Sequence, residues 1–201
     1  PLSFLVAAHL MLGPCALILA LPFVFSLFSF ASVFLFTLLL FVIDKKFDAE
    51  TLRVCKRFRW HTIGVTVYSY VVVYTGALVR HTDSGLVCAD WPLCRNGKFE
   101  LPQNLYEWVQ MGHRTAAAII FIWIIIIAFH AIKHYKDQPI FYWGWITALI
   151  LVTGHVLSGM TVVLTSLNLY IALLHSLLIS LLFGLLTYMV LLVSRSQNSK
   201  K

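Results

Sequence analysis

The feature that most constrains the fold of this chain is a succession of long apolar segments separated by short polar ones. Of its 201 residues, 60% are hydrophobic and 11% are charged. Apolar segments of about 20 residues have the length needed to cross the hydrocarbon core of a bilayer as a helix. Because a spanning backbone must satisfy its own hydrogen bonds, the sequence predicts an all-α integral membrane protein.

We predict about six spanning helices. The apolar stretch 2–43 is too long for one span, and Gly13-Pro14 and Pro22 interrupt it. We therefore divide it into helices over 2–19 and 23–43, with a single kinked helix as the alternative. The remaining four predicted spans cover 60–79, 109–131, 141–164 and 169–193.

The positions of the basic residues predict the topology. Six of the fifteen lie between Lys45 and Arg59, and others lie in the loop 132–139 and the tail 194–201. By the positive-inside rule, the loop 44–59, the loop 132–139 and the C-terminal tail are cytoplasmic. The chain is then a multi-pass protein of the cell membrane. Since the basic charge follows topology, the expected partner is the lipid bilayer, and we do not expect nucleic-acid binding.

Two histidines, His113 and His175, lie at matching positions in two predicted spans. Each follows the start of its apolar run by about a turn and a half, so the imidazoles should lie at similar depth. An ionisable side chain inside hydrocarbon is costly and usually marks function. Two imidazoles facing each other in a helix bundle suit the iron of a six-coordinate haem. The alternative is a pair of polar contacts between helices.

Other polar residues near this depth have less certain roles. Arg80 and Arg114 lie on the outer side of the two histidines, where haem propionates would emerge, and guanidinium groups pair well with carboxylates. An interfacial anchor is the alternative for Arg80. His155 is either a third ligand, a residue supporting a ligand, or a contact between helices, and the roles of His9 and His81 stay open.

The predicted outer loop 80–107 contains two cysteines, Cys88 and Cys94. Its glycines and prolines predict irregular structure. This cysteine pair could bind a metal or form a disulfide, and its place on the oxidising side favours the disulfide. A redox-active thiol pair is a further possibility.

The beginning of the chain suggests that it is part of a longer protein. The first residue is proline, an apolar helix follows at once, and the features of a signal peptide are missing. In addition, Ala8-His-Leu-Met-Leu-Gly13 is similar to Gly154-His-Val-Leu-Ser-Gly159, and each segment leads into a further apolar helix. We therefore expect a duplicated fold of which the first part is incomplete.

Together these residues resemble the heme A synthase family of Gram-positive, Bacillus-type bacteria. The resemblance is carried by Tyr74-Thr-Gly-Ala-Leu-Val-Arg-His81, Cys88-Ala-Asp-Trp-Pro-Leu-Cys94, Glu107-Trp-Val-Gln-Met-Gly-His-Arg114 and Ile171-Ala-Leu-Leu-His175. It implies an eight-helix fold made of two four-helix halves. Residues 1–43 would then be the last two helices of the first half, and 60–193 the complete second half.

The resemblance also implies a cofactor and a reaction. His113 and His175 would be the axial ligands of haem b, and Cys88 and Cys94 would form a disulfide. The family oxidises the methyl group at pyrrole position 8 of haem O to a formyl group, with oxygen derived from water, for cytochrome oxidase. Heme O synthase, which supplies the substrate, would be a neighbouring enzyme.

The sequence departs from the family at the expected catalytic positions. The Glu-x-x-His motif of the second helix is not in this chain, and Pro22 stands where we align the fourth-helix histidine. In Gln110-Met-Gly-His113 an amide replaces the acid. We therefore expect haem b binding but assign no catalytic residue here. A non-enzymatic b-type membrane cytochrome and a haem-free assembly scaffold are the alternative functions.

Overall fold

Four long helices form an antiparallel bundle in the computed structural model, which describes residues 22, 25–27, 29–33, 52–95, 98 and 100–198. The helices are α1 (Lys56–His81), α2 (Leu105–His134), α3 (Pro139–Leu164) and α4 (Leu169–Arg195). Each is long and apolar enough to cross a membrane. Consecutive helices are in contact, and α1 also contacts α4. The bundle is therefore closed, with α2 and α4 on one diagonal.

The predicted all-α membrane fold is confirmed, and each of the last four predicted spans corresponds to one helix. The helices extend beyond the apolar runs because polar residues cap them. Helix α1 begins inside the predicted loop 44–59, where the Cys55 sulfur accepts the Phe58 N–H at 3.4 Å. Helix α2 begins inside the predicted loop 80–107, where the Asn104 side chain accepts the Glu107 N–H at 2.9 Å.

The predicted first span 2–19, with His9, lies outside the described residues, as do 34–51 and 199–201. In the predicted second span 23–43, the described residues 25–27 and 29–33 are helical. Leu27 and Ala31 on this segment are buried in the hydrophobic core. The segment thus packs against the bundle.

One end of the bundle, which we call the basic end, joins the three segments predicted to share one side of the membrane. Strand β1 (Arg53–Val54) pairs in parallel with β2 (Gln197–Asn198). The Gln138 side chain accepts the Arg53 N–H at 3.1 Å and donates to the Arg53 carbonyl at 2.8 Å. Backbone groups that the short strands leave unpaired are thereby satisfied by the loop between α2 and α3.

An aromatic cluster near the basic end fills the core. The ring of Phe58 stacks on Tyr135 at 4.4 Å and meets Phe141 edge-on at 5.6 Å and Trp145 at 6.1 Å between centroids. Burial raises the pKa of Tyr135 to about 12. Its phenol therefore remains neutral and accepts the backbone N–H of Cys55 at 3.2 Å.

We expect Phe58→Ala to destabilise the bundle by about 3–5 kcal/mol, because a buried aromatic ring would be replaced by a cavity. Val67→Ala on the same helix is the matched control, since Val67 is 63% exposed. The measurement is the free energy of unfolding of the purified chain in mixed detergent micelles. Equal losses in the two variants would show that this cluster is not a core.

Candidate functional site

The two predicted ligand histidines lie on diagonally opposite helices, near the same end of the bundle. His113 lies eight residues after the first residue of α2, and His175 lies six residues after the first residue of α4. Both side chains are partly accessible. The structure therefore places the two histidines at similar distances from the starts of diagonally opposite helices.

Contacts with α1 fix the proton on the His113 ring. The Thr75 hydroxyl donates to the Val72 carbonyl at 2.7 Å. Since a hydroxyl has only one proton, its oxygen must accept from His113 Nδ1, which lies 3.0 Å away. Nδ1 is thus protonated, and Nε2 carries the lone pair.

His175 has the same arrangement against α3. The Ser158 hydroxyl donates to the His155 carbonyl at 2.8 Å, and its oxygen lies 3.0 Å from His175 Nδ1. The His155 carbonyl, which can only accept, is also 3.0 Å from this nitrogen. His175 Nδ1 is therefore protonated, and its Nε2 also carries a lone pair.

The structure places His155 beneath His175. The two rings stack with centroids 3.8 Å apart and planes 12° from parallel. His155 Nδ1 donates to the His175 carbonyl at 3.0 Å. His155 is buried while His175 is partly accessible. This geometry fits two of the three roles considered for His155: it is a contact between helices, and that contact supports the ring of His175.

This set of donors fits a haem. Two neutral imidazoles with Nε2 lone pairs can occupy the axial positions of haem iron, whose other four ligands belong to the porphyrin. Within the described part of the chain, three or more His, Cys, Asp or Glu side chains do not cluster as a site for a bare metal ion. The donor set is therefore suited to iron that brings its own equatorial ligands.

Cys88 and Cys94 form a disulfide, as the sequence predicts. Gln110 of α2 fastens the loop: its Oε1 accepts the Cys88 N–H at 2.6 Å, and its Nε2 donates to the Gly85 carbonyl at 2.8 Å. The amide that replaces an acid in this motif thus has a positioning role.

Arg114 binds the disulfide loop, and its predicted contact with a haem propionate stays a prediction. Its guanidinium donates to backbone carbonyls of the disulfide loop. The acceptors are Cys88 at 2.8 Å, Asp90 at 2.7 Å, Pro92 at 3.2 Å and Leu93 at 3.1 Å. Arg80 is exposed at the last turn of α1. It is thus the more accessible of the two guanidinium groups.

A third residue of α2 holds the far end of the loop. Glu107 is buried and forms an ion pair with Arg95. Its carboxylate also accepts the Gln103 N–H and the Asn104 side-chain N–H, each at 2.9 Å. Residues 107, 110 and 114 recur at helical spacing, so one face of α2 carries all these contacts.

Comparison with known proteins identifies the family. Residues 3–187 match the family described as COX15-CtaA, cytochrome oxidase assembly protein. The chain belongs to this family. It is 58% identical over 196 residues to the heme A synthase of Lysinibacillus sphaericus (strain C3-41), covering 97% of this chain and 64% of that protein. It is 52% identical over 193 residues to the heme A synthase of Geobacillus kaustophilus (strain HTA426), covering 96% and 61%.

The chain thus spans less than two thirds of the length of these COX15-CtaA relatives. Their names confirm the family resemblance drawn from the sequence motifs. Sequence reasoning did not identify Thr75, Gly76, Ser158 and Gly159 as contacts of the histidines. The available signal was the occurrence of a hydroxyl residue followed by glycine in both α1 and α3.

We expect Gln110→Leu to loosen the disulfide loop. A buried donor or acceptor left without a partner costs about 1–3 kcal/mol, and the variant would leave the Cys88 N–H unpaired. The rate at which a membrane-impermeant phosphine reduces Cys88–Cys94, followed by thiol labelling, should rise several-fold. Thr115→Val is the control, because the Thr115 hydroxyl donates to the Met111 carbonyl of its own helix at 2.8 Å. Equal rates in both variants would contradict the role of Gln110.

Proposed function

We propose that the whole protein is a heme A synthase and that this chain supplies its haem b-binding half. The observation that carries the proposal is the His113–His175 pair, in which both Nδ1 protons are bonded to the neighbouring helix. Family membership and the names of the relatives support the enzyme. They favour it over a non-enzymatic b-type cytochrome.

The proposed reaction is oxidation of the C8 methyl group of haem O to a formyl group, with water as the oxygen source and an external electron acceptor that takes up the four electrons released with four protons. Heme O synthase is the proposed supplier of the substrate. We place the catalytic acid outside this chain, since Gln110 is an amide whose polar atoms both bond to the disulfide loop. The proposed location is the cell membrane, with the basic end on the cytoplasmic side.

The residues of this chain have three proposed roles. His113 and His175 hold the iron through Nε2, and the helix bundle around them excludes water. Arg80 offers an accessible guanidinium for a propionate, while Gln110 and Arg114 hold the loop that covers this end of the bundle. When bound, haem b supplies one-electron transfer, with a potential tuned by its ligands and their hydrogen bonds.

We expect His113→Ala and His175→Ala each to lose most of the bound haem, because each removes one axial ligand. The measurement is the Soret absorbance of the chain purified from membranes, followed by chromatography of the extracted haems. His61→Ala is the matched control. His61 is exposed near the basic end, where its ring accepts from Trp123 Nε1 at 3.3 Å.

Coexpression with heme O synthase tests where the chemistry occurs. Haem B without haem A in the purified chain would support a cofactor half that does not react alone. Haem A or its hydroxylated precursor would place the reaction in this half and contradict the proposal. A wild-type chain that binds no haem would overturn the ligand assignment.

A further inference from the structure

The contacts of His113 and His175 repeat one pattern in the two helix pairs α1–α2 and α3–α4. Each imidazole packs against a hydroxyl residue followed by glycine, Thr75-Gly76 in one pair and Ser158-Gly159 in the other. Each Nδ1 lies 3.0 Å from that hydroxyl oxygen, and His175 Nδ1 lies at the same distance from the His155 carbonyl. Each hydroxyl donates to the carbonyl of the residue three positions earlier, which is Val72 in α1 and His155 in α3.

We propose that Thr75 and Ser158 are positioning residues for the two axial ligands. The Thr75 hydroxyl fixes the Nδ1-protonated tautomer of His113, and the Ser158 hydroxyl does so for His175 together with the His155 carbonyl. Nε2 is left as the ligating nitrogen of both. The expected effect on bound iron rests on the proposed haem function, whereas the two histidine tautomers are a property of the haem-free chain. The inference extends the site from two histidines to two histidine units on paired helices. One unit is His113 with Thr75 and Gly76, and the other is His175 with Ser158 and Gly159.

The glycines set how closely each ring packs on the neighbouring helix. A Cβ added at Gly76 would lie 3.0 Å from His113 Cε1, and one at Gly159 would lie 2.9 Å from His175 Cε1. Both distances are too short for an ordinary carbon–carbon contact. An alanine at either position must therefore displace the imidazole or the helix.

Removing a hydroxyl should change the midpoint potential and ligand field of the haem iron without abolishing haem binding. An acceptor for the Nδ1–H raises the basicity of the ligating nitrogen, and loss of such a partner typically costs 10–100-fold in metal affinity. We expect a loss of about 10-fold for Thr75→Val and a smaller loss for Ser158→Ala, because the His155 carbonyl still accepts from His175 Nδ1. The weaker donor should also raise the midpoint potential, since a less basic ligand stabilises oxidised iron less.

The test uses Thr75→Val and Ser158→Ala, with Thr75→Ser and Ser158→Thr as variants that keep a hydroxyl. Thr153→Val is the matched control, because the Thr153 hydroxyl donates to the Leu149 carbonyl of its own helix at 2.7 Å. In the haem-loaded chain, redox titration and low-temperature EPR report the potential and the ligand field. We expect changes in the first two variants that the hydroxyl-retaining variants reverse.

Nitrogen-15 NMR of the haem-free chain gives an independent measurement. Wild-type His113 and His175 should show protonated Nδ1. Thr75→Val should admit the other tautomer at His113, whereas Ser158→Ala should shift the Nδ1 resonance of His175 without changing its tautomer, because the His155 carbonyl still accepts from Nδ1. Protonated Nε2 in the wild type would overturn the inference. So would unchanged NMR, potential and EPR in Thr75→Val and Ser158→Ala, even if His113→Ala still loses haem. Haem retained by His113→Ala would instead overturn the proposed function and the ligand role assigned to these units.

Discussion

The site depends on one kind of interaction, an imidazole N–H bonded across a pair of helices away from water. A buried polar group without a partner is costly, so each histidine constrains the helix opposite it to present an acceptor. Thr75 and Ser158 meet that requirement, and each also donates to its own helix. The bond that stabilises packing is thus the same bond that leaves Nε2 available as a ligand.

Helix α2 connects this site to the disulfide loop. His113 faces α1, while Gln110 and Arg114 bond to the loop. A rigid helix transmits a displacement of one face to its other faces, because its side chains share one backbone. The position of the loop and the position of His113 are therefore linked geometrically, and the buried Gln110 amide is part of that link.

The sequence predicts the four spans and the similar positions of His113 and His175 in their helices. Both follow from the length of an apolar run and from how far a residue lies from its start, which can be read directly from the sequence. It places the helix ends less well, since Cys55 and Asn104 cap the helices outside the apolar runs. It does not identify the contacts of Thr75, Ser158 and His155. Those depend on how each helix is rotated against its neighbour, which hydropathy does not specify. The sequence also does not identify the carbonyls that Arg114 bonds to, because these depend on the irregular path of a loop.

The two histidine units are alike in their hydrogen bonds but differ in what lies behind them. The carbonyl that completes the unit belongs to Val72 in α1 and to His155 in α3. Consequently His175 stacks on a second imidazole, which in turn bonds to the His175 backbone. His113 has an aliphatic residue at the matching position, so less polar contact restrains its ring. Two histidines with the same hydrogen-bond pattern are thus restrained by different contacts, and this asymmetry follows from a single side chain, that of residue 155.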